Sequence, residues 1–134
     1  MKRTAKALVD ETMARVTTYT AAQARELHGQ PGVQFVDVRD VRELEREGVV
    51  PGAFHVPRGL LEFWADPQSP DPKPELGADK EYVLFCGSGW HSAQATQTLT
   101  EMGVAHVAHI GGGFEAWKKA GGPVTDAAPP RQAG

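Results

Sequence analysis

The chain has 134 residues, 40% of them hydrophobic, and a net charge of −3, which fits one soluble globular domain. No apolar run approaches the roughly 18 residues of a membrane span, and a mildly acidic chain without a basic block is a poor nucleic-acid binder. A single cysteine excludes an internal disulfide, so the fold needs no oxidising compartment and the cytoplasm is the expected location.

Lys2, Arg3 and Lys6 could open a secretion signal, but Asp10 and Glu11 stand where its apolar stretch belongs. Residues 2–16 instead read as a helix. Ala5, Leu8, Val9, Thr12 and Val16 recur at three- and four-residue spacing. Its apolar stripe could pack on the domain or pair with a second copy of the chain. Thr20 predicts an N-cap, with Gln23 completing a capping box. The helix it opens carries Ala24 and Leu27 and stops near Gly29 and Pro31.

Residues 33–38 are apolar and rich in β-branched side chains, which predicts a central strand buried on both faces. Asp40 should cap a short helix carrying Val41 and Leu44 and ended by Gly48. A turn at 49–52 leads into a brief strand at 53–56, then a helical turn or two at 60–64. Residues 66–77 hold Pro67, Pro70, Pro72 and Pro74. They are expected to form an exposed, irregular excursion that could close over a pocket or stay clear of it.

A second central strand is expected at 82–85, a helix at 93–102 and a third strand at 104–110. A tight turn at Gly111-Gly112-Gly113 leads to a last helix at 114–120, stopped by Gly121-Gly122-Pro123. Thus 1–16 form an N-terminal helix, 17–124 the domain, and 125–134 a polar tail expected to fray. Strands alternating with helices predict an α/β fold, a mainly parallel sheet flanked by helices on both faces. Ligands of such sheets sit at the carboxyl ends of strands, which directs attention to the segment after Phe85.

That segment is Cys86-Gly87-Ser88-Gly89-Trp90-His91-Ser92. Gly87 and Gly89 allow a sharp turn that aims backbone N–H groups inward. Ser92 is expected to begin the next helix, whose positive end stabilises a thiolate or a bound oxyanion. This is a design for a nucleophilic cysteine. The plainer reading is a buried small hydrophobe.

Here the sequence resembles the single-domain rhodaneses, a sulfurtransferase family, over residues 17–124. Four segments in order carry the resemblance. They are Val36-Asp37-Val38-Arg39 with Glu43, then Val50-Pro51-Gly52-Ala53-Phe54-His55-Val56-Pro57, the 86–92 loop, and Gly111-Gly112-Gly113-Phe114-Glu115-Ala116-Trp117 with Gly122-Pro123-Val124. The resemblance implies that Cys86 takes a sulfane sulfur from a small-molecule donor as a persulfide. A thiol, cyanide or a protein acceptor then removes it. Backbone groups of Gly87, Ser88, Gly89, Trp90, His91 and Ser92 would hold the anion, and no cofactor or metal is implied.

Related phosphatases and arsenate reductases use a longer loop with an arginine six residues after the cysteine, and position 92 is Ser. Rhodaneses often place an arginine five residues after the cysteine, and position 91 is His. A histidine is mostly uncharged at pH 7 and lacks the guanidinium fork, so thiosulfate should bind more weakly here. His91 could touch the anion, act as a base toward Cys86, or point to solvent. The opening Cys86-Gly87-Ser88-Gly89 also resembles the start of the 3-mercaptopyruvate sulfurtransferase loop, a match that ends at Trp90.

Arg58 could supply the fixed charge that His91 lacks, or be a surface arginine. Trp90 could wall the pocket or cover the sheet edge, and Phe63 and Trp64 could line its mouth or pack in the core. Asp37, on a central strand, needs partners and reads as structural, binding backbone N–H groups or Arg39. His28, His55, His91, His106 and His109 show no metal-ligand spacing. Without a second cysteine, Cys86 has no internal resolving partner. A sulfur carrier, a non-catalytic binding module and a redox sensor remain as rival readings.

Overall fold

The computed structural model describes residues 1–127. Five strands form one sheet: β1 (Thr17–Tyr19), β2 (Val33–Asp37), β3 (Phe54–His55), β4 (Glu81–Phe85) and β5 (Val107–Ile110). All four strand pairs are parallel, in the order β1-β5-β4-β2-β3. The helices are α1 (Ala5–Met13), α2 (Ala21–Leu27), α3 (Val41–Glu47), α4 (Leu61–Ala65), α5 (Pro74–Gly77), α6 (Trp90–Glu101) and α7 (Gly113–Lys119). A 3-10 turn at Arg58–Leu60 leads into α4. The chain is an α/β domain with a wholly parallel sheet, as the alternating pattern predicts.

Side-chain alternation along β4 divides the core in two. Tyr82, Leu84 and Cys86 face a cluster with Leu61, Leu76, Ala95 and Leu99 from α4, α5 and α6. Val83 and Phe85 face Ala24, Ile110, Phe114 and Trp117. Thus α6, with α1 and α4 beside it, covers one face, and α2 and α7 pack on the other. The connections of β2 and β4 leave the sheet in opposite directions. Their carboxyl ends, with Asp37 paired to Phe85, form the crevice where such folds bind ligands.

Local chemistry fixes the element ends. Thr20 and Gln23 form the expected capping box, and Asp40, the expected cap, forms a second one with Glu43. Thr4 caps α1, which is shorter than the periodic stretch and packs on α6 through Val9 and Thr12. Sequence reading gives no strand at 17–19, because three exposed or half-buried residues carry no alternation; β5 supplies the pairing. The strand expected at 104–110 begins only at Val107.

Two expectations are corrected. The proline-rich stretch is not wholly irregular. Pro74 opens α5, where its missing N–H costs nothing, and Leu76 is buried. Tyr82 donates to the Ala78 carbonyl at 2.7 Å, and the Lys73 N–H donates to Trp64 O at 2.8 Å. Tyr82, the second residue of β4, is about 13 Å of strand from Cys86, so the α5 end of the excursion is anchored away from the cysteine loop. Thr125, the expected start of the frayed tail, exchanges both backbone hydrogen bonds with Val49 at 2.8 and 2.9 Å. The rest of that tail, from residue 128, lies outside the described residues.

Candidate active site

Cys86 follows the last residue of β4, the middle strand, and is 2% exposed. Gly89, at φ +105°, turns the chain into α6. A side chain in that conformation is strained, and a Cβ would come within 3.2 Å of Gly112 N. The helix therefore begins at Trp90, two residues before the expected Ser92. The first turn closes around the sulfur. Gly89 N lies 3.0 Å and Ser92 N 3.4 Å from Cys86 Sγ, both N–H groups donating, and Ser92 Oγ is 3.5 Å away. Two backbone N–H donors thus converge on the sulfur at the N-terminus of α6.

The glycine turn 111–113 is the other wall. Phe114 N donates to Cys86 O at 2.7 Å and Glu115 N to Gly87 O at 3.2 Å. Gly113 has φ +61°, and a Cβ there would collide with the Cys86 carbonyl and stand 2.8 Å from Gly87 O. The turn thus serves the loop as well as the chain reversal expected of it.

Gly87 is half-buried, Gly89 and Ser92 are buried, and Ser88, Trp90 and His91 are exposed. Trp90, at 48% exposure, lies on the first turn of α6. His91 shares that turn. Arg58 is not brought to the loop. It donates to Glu62 at 2.7 Å and to Thr98 Oγ1 at 3.1 Å, and Thr98 is eight residues, about 12 Å, along α6 from Trp90. Trp64 packs beside Phe54 in the core while Phe63 is exposed; neither joins the loop.

Asp37 and Arg39 form a buried structural pair at the neighbouring strand end. Arg39 donates from Nε and Nη2 to the carboxylate at 2.8 to 3.2 Å, and its own N–H caps Oδ1 at 3.0 Å. The guanidinium also reaches Gly48 O at 2.9 Å and stacks 4.0 Å over the Phe114 ring. The pair therefore ties the β2 end to the helix behind the cysteine loop.

Sequence reading misses two features. A cleft of about 350 Å³ opens beside Gly87 and Ser88, lined by Glu43, Arg46, Glu47, Phe114, Glu115 and Lys118. Its charges come from the exposed sides of α3 and α7, which look like ordinary solvated surface in the sequence. His109 is fully buried, with Nδ1 3.1 Å from Ser92 Oγ and Nε2 2.9 Å from Thr18 Oγ1. Burial lowers its pKa to about 4. The sequence places it on a strand as a surface or a satisfied core residue, and nothing there points it at Cys86. His28 and His55 bond backbone carbonyls, each at 2.7 Å. Among the described residues no group of three His, Cys, Asp or Glu is placed to hold a metal, and no helix is long and apolar enough to cross a membrane.

The model of the rhodanese-like domain matches residues 20–120. The chain belongs to the rhodanese-like family. It is 32% identical over 92 residues to a protein of Allochromatium vinosum named sulfurtransferase, a span covering 69% of this chain and 78% of that one. Among solved structures, a Rhodopseudomonas palustris protein of unknown function, described as a possible tyrosine phosphatase, is 49% identical. It superposes with a TM-score of 0.90 over 93% of this chain and 96% of that one. The thiosulfate sulfurtransferase of Pseudomonas aeruginosa is 28% identical, with a TM-score of 0.69 over 84% of this chain and 20% of that one. The matched residues thus take in β2 to β5, the cysteine loop and the glycine turn, and begin just after β1.

Proposed function

We propose that this rhodanese-like protein is a sulfurtransferase working through a persulfide on Cys86. The observation that carries the reading is the sulfur itself, set at a helix N-terminus with the Gly89 and Ser92 N–H groups donating to it. In the first half-reaction the Cys86 thiolate attacks the outer sulfur of the donor. The S–S bond of the donor breaks, and with thiosulfate the leaving group is sulfite. In the second, a thiolate or cyanide attacks the outer sulfur of the persulfide and Cys86 is released as thiolate. The remaining N–H groups of the first helical turn can hold the anionic end of the donor.

The adjoining cleft suits a donor larger than thiosulfate. Three carboxylates and two cations line it, and that mixture fits a thiol persulfide carrying both charges better than a bare dianion. No arginine or lysine lies within 87–92, so thiosulfate lacks a fixed cation in the loop.

The phosphatase description of the Rhodopseudomonas palustris relative gives the competing reading. Both are tested by initial-rate kinetics with thiosulfate and cyanide beside an aryl phosphate. Parallel double-reciprocal lines for thiocyanate formation, lost in Cys86→Ser, are expected, with no phosphate release. Phosphate release without thiocyanate would overturn the proposal.

A further inference from the structure

A buried polar chain behind the sulfur has no part in the two half-reactions above. Ser92 and His109 are both fully buried. Ser92 Oγ stands 3.5 Å from Cys86 Sγ and 3.1 Å from His109 Nδ1, and His109 Nε2 stands 2.9 Å from Thr18 Oγ1. Thr18 is exposed on β1, the edge strand, in register with His109. The other register partner of His109, on β4, is Leu84. An apolar side chain at position 109 would fill this face of the sheet without the cost of burying an imidazole. The imidazole instead bridges a buried hydroxyl at the sulfur and an exposed one at the sheet edge.

We propose that Cys86, Ser92, His109 and Thr18 form a proton path through which the buried thiol discharges its proton at the sheet edge. It rests on the reading of Cys86 as the nucleophile. Two complementary hydrogen-bond directions fit the same heavy-atom positions. With the thiol protonated, S–H donates to Ser92 Oγ, the Ser92 hydroxyl to His109 Nδ1, and His109 Nε2–H to Thr18 Oγ1. On ionisation each proton moves one place. The S–H bond breaks and Ser92 gains that proton. The former Ser92 hydroxyl proton forms the Nδ1–H bond, the Nε2 proton passes to Thr18, and the former Thr18 proton goes to water. One proton leaves, Cys86 alone changes charge, and His109 changes tautomer.

The thiolate then accepts from the Ser92 hydroxyl as well as from the Gly89 and Ser92 N–H groups. The other acceptors near these hydroxyls are weak or long, Gly89 O at 3.4 Å from Ser92 Oγ and Met13 Sδ at 3.9 Å from Thr18 Oγ1. The polar groups facing His109 are Ser92 of α6 and Thr18 of β1, and the titratable group the chain reaches is Cys86. His109 stays uncharged near neutrality because burial lowers its pKa to about 4.

The full chain carrying ¹⁵N-histidine tests the path by NMR. The two ring nitrogens of His109 are expected to exchange protonated and unprotonated shifts over the pH range in which Cys86 alkylation rises, and not to do so in Cys86→Ala. A ring that keeps one tautomer throughout overturns the path. His109→Leu supplies a second readout. Iodoacetamide alkylation of Cys86 at pH 6 should slow about three- to tenfold as the cooperative chain is lost, with rates converging at high pH. Equal rates at both pH values, or an equal slowing at both, would also overturn it. Neither readout needs a sulfur donor. Tautomer exchange without persulfide formation rejects the sulfurtransferase reading alone, and persulfide formation without tautomer exchange rejects the path alone.

Discussion

The Phe114 amide donates to the Cys86 carbonyl at 2.7 Å, so the glycine turn that opens α7 and the loop that opens α6 are one piece of structure. Gly113 sits at their closest approach, at φ +61° with no room for a Cβ. Gly113→Ala should destabilise the domain by about 2–4 kcal/mol, measured by urea unfolding. Persulfide formation should fall in the fraction that remains folded, because the displaced turn carries the loop with it.

His91 is exposed on the first turn of α6, next in sequence to Ser92, whose N–H donates to the sulfur, and Arg58 is held by Glu62 and Thr98. His91→Arg should therefore lower the thiosulfate KM about three- to tenfold by adding a permanent fork of donors. Arg58→Gln should leave the same KM within about twofold. Steady-state thiocyanate assays check both. An unchanged or higher KM for His91→Arg would contradict the account of the loop.

Much of this was legible before the structure because it is local. The capping box at Thr20, the cap at Asp40, the apolar strands and the Cys86 loop with its two glycines all follow from short-range chemistry. The α/β class follows from their alternation. What escaped was assembled across the sheet. β1 exists because β5 pairs with it, and Leu76 is buried because α5 folds back on Tyr82. His109 meets Ser92 only through the packing of α6 on β5. The cleft beside Gly87 escaped for the same reason, since its charges lie on two helices distant in sequence.

Asp37 and Arg39 are each about 1% exposed, and one partner left alone would be a buried unpaired charge. Asp37→Ala should cost about 3–5 kcal/mol, read as a shift in the urea midpoint. A loss below 1 kcal/mol would mean that solvent or Glu47, 4.0 Å from Arg39 Nη1, replaces the carboxylate.

Burial lowers the His109 pKa from 6.5 to about 4. Between these values the unfolded chain binds more protons than the folded one, so unfolding free energy rises with pH there. Stability contributed by the neutral ring is present above pH 6.5 and is lost as pH falls toward 4, by up to about 3 kcal/mol. Urea unfolding of wild type and His109→Leu from pH 4 to 7 should show a steeper acid loss for wild type. Parallel curves would contradict this.

The persulfide on Cys86 is tested by intact mass spectrometry after incubation with thiosulfate, beside Cys86→Ser. A gain of one sulfur, about 32 Da, is expected on wild type alone, removed by cyanide with release of thiocyanate. An unchanged mass with thiosulfate, 3-mercaptopyruvate and glutathione persulfide alike would contradict it and leave the chain a rhodanese-like binding module.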